Sequence, residues 1–424
     1  MAVENLSTRD KKYLWHPLTQ HKLNKPQLPI VKAKGALLFD EDGNEYIDGI
    51  ASWYTTMYGH GNDQIIAAMT KQMQKLDFVM FSGLTHEPAI ELSEQLINIL
   101  PDNQAKLFFN DNGSTAIDAA IKMAFQYFHN DGKKRDTLIA FEDGFHGDTF
   151  GAMSASGLSS YNGPFEDFLL KVVRIPVPQE NNLELVKKQL TNILSENSCA
   201  AFIFEPLVQG AAGMKFHSAQ GLDELIQLCQ THDVLCIADE IMTGFGKTGT
   251  DFASEVLVNK PDIICLSKAL TAGMFPLSIT SCSQKLYDRF LSDEVHKGFF
   301  HAHTFSAHPI GCAAALAGIS LLNSSEIKER RQYIEKEHNV FAAEVKNHEK
   351  IAEVRVKGVI LAIDLQLKME RYGNLRDELY QFFLNSGVLL RPLGNTVYVL
   401  PPYVITNIQL QKIYAAIKKA LDTF

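Results

Sequence analysis

The strongest constraint on this chain is a repeated one: short apolar runs that stop abruptly at polar residues and alternate with amphipathic helical patterns. Runs of this kind occupy 107–109, 138–141, 201–204, 234–238 and 263–266, and helical periodicity marks 115–128 and 220–229. A strand without a polar face is buried on both sides, so the alternation predicts an α/β unit with a mostly parallel sheet covered by helices. At 424 residues the chain exceeds what one core usually holds, and at least two folding units are expected. The pattern changes near residue 325. A charged helical stretch (326–350) leads to β-type runs at 352–365 and 388–400 and then to an amphipathic helix. The expected organisation is a large α/β domain over 61–325 and a smaller α+β domain over 326–424, joined by the segment 1–60.

Composition narrows the partners. The net charge of −9 and the dispersed lysines and arginines argue against nucleic acid and anionic membrane. No stretch supplies the roughly 20 apolar residues of a membrane helix. The first ten residues carry no apolar core of the signal-peptide kind, which makes the cytoplasm the expected compartment. Six cysteines (199, 229, 236, 265, 282, 312) form no C-x-x-C pair, and several lie inside apolar runs, as reduced core cysteines do. No metal site is expected.

Three constellations carry chemistry. Asn110-Asp111-Asn112-Gly113-Ser114-Thr115-Ala116 follows a strand and opens a helix. The segment fits a plain helix cap, and equally a phosphate site made from glycine and free N–H groups. Asp239-Glu240 ends the run that begins at Val234, where α/β sheets place ligands. A carboxylate there can hold a protonated ring nitrogen; the same residues also fit an acidic strand-to-loop junction. Ser267-Lys268 ends the run that begins at Ile263. A lysine leaving an apolar strand is costly to bury, and burial prepares its amine for an aldehyde. Taken together, the three would hold a phosphate, a ring nitrogen and an aldehyde. Those are the handles of pyridoxal phosphate.

Two motifs compete with this reading. Gly244-Phe245-Gly246-Lys247-Thr248-Gly249 fits G-x-G-x-x-G, the mark of a nicotinamide-dependent dehydrogenase, but Pro261 leaves little room for the required helix. His301-Ala302-His303 resembles a metal pair without a nearby carboxylate or cysteine to complete it.

Over nearly its whole length the chain resembles the class III aminotransferases, and within them the branch of biotin biosynthesis. The carrying motifs are Trp15-His16-Pro17, Asp48-Gly49-Ile50-Ala51-Ser52-Trp53, Leu84-Thr85-His86-Glu87-Pro88-Ala89 and Asn112-Gly113-Ser114. They continue with Phe145-His146-Gly147-Asp148, Glu205-Pro206-Leu207-Val208-Gln209-Gly210, Asp239-Glu240, Leu390-Arg391-Pro392-Leu393-Gly394 and Pro401-Pro402-Tyr403. The resemblance implies a fold-type I enzyme with a seven-stranded-type sheet, pyridoxal 5'-phosphate as cofactor and a homodimer. It implies that Lys268 carries the cofactor, that Gly113 and Ser114 bind its phosphate, and that Asp239 pairs with its ring nitrogen. Phe145 would stack on the ring, with Glu205 near the ring oxygen. His303 and Thr304 would complete the phosphate side, Thr304 from the partner subunit. Leu18, Trp53, Tyr54, Phe145, Ala302 and Arg391 would line the substrate site. The implied reaction aminates 8-amino-7-oxononanoate (7-keto-8-aminopelargonate) with S-adenosylmethionine as donor.

Five departures crowd around the substrate. Leu18 and Phe145 stand where tyrosines are expected, Tyr54 where a second tryptophan is, and Ala302-His303 where Gly-Pro is. Lys247 replaces an arginine expected to pair with Asp148, keeping the charge without the planar fork. Lysine as donor to the same acceptor therefore stays open. So does another class III reaction on ω-amino acids, ornithine or an aminomutase substrate.

Overall fold

The computed structural model describes residues 5–23, 26–157, 162–196, 198–367, 369, 371 and 373–424. Its N-terminal strands are β1 (Ile30–Lys34), β2 (Leu37–Asp40) and β3 (Glu45–Asp48). The central region supplies β4 (Gln104–Asn110), β5 (Thr137–Phe141), β6 (Val172–Ile175), β7 (Cys199–Phe204), β8 (Val208–Gln209), β9 (Lys215–Phe216), β10 (Leu235–Asp239), β11 (Ile263–Leu266) and β12 (Ser278–Ser283). The C-terminal part adds β13 (Ile351–Lys357), β14 (Ile360–Leu365), β15 (Val388–Leu389) and β16 (Thr396–Val399).

Seven strands form the main sheet in the order β4-β12-β11-β10-β7-β5-β6. Strand β12 is antiparallel to both its neighbours, and the pairings among β11, β10, β7, β5 and β6 are parallel. All five apolar runs singled out in the sequence lie within or across strands of this sheet. Strands β5, β7, β10 and β11 are buried at every position, which is why they read as continuous apolar runs. Strand β12, Ser278-Ile279-Thr280-Ser281-Cys282-Ser283, is equally buried, but four of its six residues carry hydroxyls, and periodicity does not reveal it.

One helix sets the phosphate end. Gly113–Asn130 begins at an Asn112 cap whose side chain accepts from Thr115 N–H in a reciprocal capping box. Its buried stripe (Ala116, Ile117, Ala120, Ile121, Ala124, Phe128) recurs at three- and four-residue steps and packs on the sheet. A second helix, Pro309–Asn323, is buried almost all round and backs the turn that carries Lys268. Among the described residues no single helix is long and apolar enough to cross a membrane.

The two late β-type runs are each broken. The 352–365 run is a hairpin of β13 and β14, turned at Gly358 with φ +55°. The 388–400 run is β15 and β16 separated by a loop. Strand β15 runs parallel to β3, pairing Val388 with Ile47 and Leu389 with Asp48, so the N-terminal strands and the C-terminal residues share one small sheet. The charged helix spans Ser325–Val345. All six cysteines are buried, unpaired thiols.

Candidate active site

Parallel pairing delivers the polar strand ends to one edge. In β10 and β11, Asp239 lies opposite Cys265, so the chain leaves β11 two residues later with Lys268 on the same side as Asp239. Beyond β12, strand β4 ends at Asn110 opposite Ser278 and passes into Asp111-Asn112-Gly113-Ser114. A cavity of about 630 Å³ opens over this edge, and its walls include Lys268, Asp239, Glu205, Ser114, Trp53 and Arg391. Gly113, Phe145, Tyr54 and Leu18 also line it. The sequence thus named ten of its residues in advance.

The inner end is tightly organised. Gly147, at φ +132°, leaves no room for a side chain, since a Cβ would fall 2.1 Å from Ser114 Oγ. Asp148 N–H donates to Ser114 Oγ at 3.2 Å. The Ser114 hydroxyl and the helix start thus lie together on the cavity wall, where backbone N–H groups at a helix start suit a phosphate. The Asp239 carboxylate accepts Ile241 N–H at 3.1 Å through Oδ1 and His146 Nδ1–H at 2.8 Å through Oδ2. His146 is itself buried, and its backbone N–H donates to Ser156 Oγ at 2.9 Å. No partner role for His146 was read from the sequence, though it lies inside a quoted motif.

Glu205 sits beside this pair. Its carboxylate accepts N–H groups from Phe145 (3.1 Å) and Gly210 (2.8 Å), and burial pushes its pKa up to about 7 against the pull of His146. Burial lowers the pKa of Lys268, opposed by the negative charges of Asp239 and Glu205. A lysine shifted this way offers more of the neutral amine that attacks an aldehyde. Its backbone is also held at φ +47°, an uncommon conformation for a residue with a side chain.

The outer end is built from the two ends of the chain. The turn Ala51–Tyr54 has φ values of 47°, 46°, 78° and 68°, four successive left-handed residues without a glycine. Each costs about 1–2 kcal/mol relative to right-handed backbone. The turn places Trp53 where the Arg391 guanidinium lies 4.9 Å from its ring centroid, and Tyr54 where Lys268 Nζ lies 5.2 Å from its centroid. Tyr54 Oη donates to Tyr398 Oη at 3.1 Å. Leu18 is 40% exposed at the mouth. Sequence reading missed Tyr398, Arg371 and Arg376, all on the cavity wall. Arg371 donates to Ala211 O at 2.7 Å, and Arg376 contacts Asp377. Both follow a stretch with no motif character, and only the fold brings them to the wall.

Ala302, His303 and Thr304 do not line the cavity. Ala302 and Thr304 are exposed, and His303 contacts His301 at 3.2 Å between ring nitrogens. The expected pair of Lys247 and Asp148 is not made. Lys247 is fully buried and donates to Gly244 O at 2.8 Å, held inside its own loop by left-handed Phe245 and Gly246. A single ammonium taken by the nearest carbonyl has no second arm to reach outward. Asp148 has no ion-pair partner among the described residues, and it lines the cavity. The glycine-rich segment lies in turns, followed only by a single 3₁₀ turn at Ala253–Val256, so the helix that dinucleotide binding requires is missing from it.

These residues fit pyridoxal phosphate. The volume is within the usual range for a cofactor and small substrate, and the amine, the carboxylate and the helix start converge in it. Comparison with known proteins agrees. The Aminotransferase class-III family model matches residues 19–421, and the chain belongs to this family of pyridoxal-phosphate-dependent aminotransferases. The adenosylmethionine-8-amino-7-oxononanoate aminotransferase of Synechococcus elongatus is 42% identical over 421 residues, covering 97% of this chain and 98% of that protein. The enzyme of the same name from Staphylococcus aureus is 33% identical, covering 99% and 98%. Among solved structures, the one of that name from Methanocaldococcus jannaschii superposes with a TM-score of 0.92 at 32% identity over 98% of each chain. An amine transaminase from an uncultivated Pseudomonas species, in its pyridoxal-phosphate-bound form, gives 0.91 at 27% identity, covering 97% of this chain and 98% of that one.

Proposed function

We propose that this chain aminates 8-amino-7-oxononanoate to 7,8-diaminononanoate, with S-adenosylmethionine as the amino donor. The observation that carries the reading is the convergence of Lys268, Asp239 and the Ser114 helix start in a cavity whose far wall presents Arg391 stacked on Trp53. The names of the full-length relatives supply the acceptor.

Bound pyridoxal phosphate supplies an aldehyde and an electron-withdrawing ring. Lys268 would hold that aldehyde through its amine and would serve as the base that takes and returns a substrate proton. Asp239, fixed by His146 and by Ile241 N–H, would keep the ring nitrogen protonated. Ser114 and Gly113 would hold the phosphate, and Phe145 and Glu205, on the same cavity wall, would contact the ring. Arg391 receives a substrate carboxylate. Asp148, left without Lys247, faces the cavity with a carboxylate suited to the extra positive charge that both S-adenosylmethionine and lysine carry. That observation keeps lysine as a second reading of the donor.

The working unit in this reading is a cytoplasmic homodimer, in which Thr304 of the partner subunit completes the phosphate site. The surface around Thr304 supports it, because the neighbouring Phe300 and Phe305 are 73% and 53% exposed. Its parts are an α/β domain over 61–325 and an α+β domain over 326–424, joined by 1–60.

The test is a half-reaction on the cofactor-loaded protein. S-adenosylmethionine and L-lysine are added separately while the absorbance of the bound cofactor is followed, and 8-amino-7-oxononanoate is then added to reverse the change. Conversion by S-adenosylmethionine with reversal by the acceptor is the expected result. Conversion by lysine alone replaces the donor, and silence with both sinks the biotin-pathway reading.

A further inference from the structure

The left-handed turn Ala51–Tyr54 needs something to hold it, and the structure shows what does. Strand β3 ends at Asp48, whose side chain is fully buried. Its Oδ1 accepts Ile50 N–H at 3.2 Å. Its Oδ2 accepts the Ser52 hydroxyl at 3.0 Å and His60 Nε2–H at 2.8 Å. His60 is tied at its backbone to Gly35 in both directions, at 2.8 and 2.9 Å, so it is a fixed post. Thr55 Oγ1 donates to Ser52 O at 3.1 Å and closes the turn from the far side. A buried carboxylate with three donors is a strong local constraint.

The same turn leans on the lysine loop. At Gly273, φ +75°, a Cβ would lie 2.8 Å from Thr56 and 3.0 Å from Thr55. Lys268 and Ala272 in that loop are left-handed too, at 47° and 55°. Two uncommon backbone segments are thus wedged together, and Tyr54 and Lys268 meet where they touch. Strand β15 pairs Leu389 with Asp48, which fixes where Arg391 emerges relative to Trp53.

We propose that Asp48 is a positioning residue for substrate. Through Ser52 and His60 it holds the left-handed turn that sets Trp53 against Arg391 and Tyr54 beside Lys268. It touches neither cofactor nor substrate, and it sets substrate affinity by fixing the wall that does. The proposal rests on reading the outer cavity as the substrate site, and it has a readout that does not depend on which substrate is used.

The chain has two tryptophans, so Trp15→Phe leaves Trp53 as the sole indole emitter. Trp15 is 91% exposed, and its replacement is expected to leave activity unchanged. In that background Asp48→Asn should raise acrylamide quenching of Trp53 in the full chain while cofactor loading stays at the parent level. KM for donor and acceptor should rise about tenfold with kcat within about twofold, the scale of one charge-assisted hydrogen bond. Ser52→Ala, a milder change on the turn itself, should show the same split more weakly. Ser52→Gly should lie closer to the parent, because glycine adopts the left-handed conformation without strain. Unchanged quenching and KM in Ser52→Ala would overturn the proposal, and that variant decides the matter if Asp48→Asn does not fold. Equal losses in Ser52→Ala and Ser52→Gly would also overturn it. If the substrate reading is wrong, the parent itself shows no turnover and the quenching result still stands.

Discussion

The two ends of the cavity are built on different principles. The inner end hangs on the main sheet: Asp239 ends a fully buried strand, Lys268 follows its neighbour, and Ser114 lies in the first turn of an 18-residue helix. Packing on both faces fixes these positions, and two hydrogen bonds, from His146 and from Ile241 N–H, orient the aspartate. The outer end hangs on two-residue β15, a left-handed turn and a loop after residue 389. There, local polar contacts must do what the sheet does elsewhere. The departures Leu18 and Tyr54 concern this second kind of structure, Phe145 stands at the border between the two, and Ala302-His303 lie off the cavity wall. A scaffold of this design keeps its cofactor chemistry constant while substrate contacts change.

The sharpest way to break the comparison is at Lys268. Replacing it by alanine removes a buried amine that makes no hydrogen bond holding the sheet together, so the fold is expected to persist with an unchanged melting temperature. Turnover should fall by roughly 10⁴-fold or more. Substantial turnover of Lys268→Ala, measured with either donor, would mean that the inner end does not perform the chemistry assigned to it.

A smaller effect is expected at the outer end, and of a different type. Arg391→Ala removes the guanidinium stacked on Trp53 and leaves every contact of Asp239 and Ser114 in place. If Arg391 receives the acceptor's carboxylate as proposed, its loss should cost about 3 kcal/mol, roughly 100-fold in KM for the acceptor. Cofactor affinity should not move. If Arg391→Ala lost cofactor instead, the two ends would not be separable and the comparison would fail.

Legibility in the sequence follows the same division. The strands β5, β7, β10 and β11 and the polar residues at their ends were readable because burial on both faces leaves an uninterrupted apolar signature. Strand β12 escaped, since its buried hydroxyls are satisfied by neighbouring elements, as Thr280 is by Ala116 O at 2.8 Å and Ser281 by Gln104 Oε1 at 2.6 Å. At the outer end, Trp53 and Arg391 were recognisable only through the family motifs that contain them. Nothing local announces four left-handed residues in Ala51-Ser52-Trp53-Tyr54, none of them glycine. Arg371 and Arg376 reach the wall by tertiary placement alone. Other quoted motifs proved to be structural ties. His86 caps the helix Glu87–Ile99 and bonds Ala307 O at 2.8 Å, and Tyr403 Oη donates to Phe245 O at 2.6 Å. Lys247 fell between these cases: its loop was visible, but the direction of its side chain was set by the loop's left-handed backbone.

The smallest expected effect sharpens the border between the two ends, where Glu205 sits. Burial raises its pKa from 4.5 to about 7 in the folded chain. A raised carboxyl pKa means that the folded state keeps a proton which the unfolded state has already released. Between those two values the folded chain therefore binds more protons, and its stability relative to a non-titrating variant falls as pH rises. Glu205→Gln cannot titrate. The difference in melting temperature between Glu205→Gln and the parent, measured on cofactor-free protein, should grow in favour of the variant across that window, by roughly a few degrees. Below it the two should nearly coincide, because the parent carboxyl is then protonated in both states. Histidines buried in their neutral form, such as His217 with a pKa near about 4, push the overall profile the opposite way in acid. They are common to both proteins and cancel in the difference. A difference that stays flat with pH would show that Phe145 and Gly210 N–H groups keep Glu205 ionised throughout, which would move it from the border into the charged inner end beside Asp239.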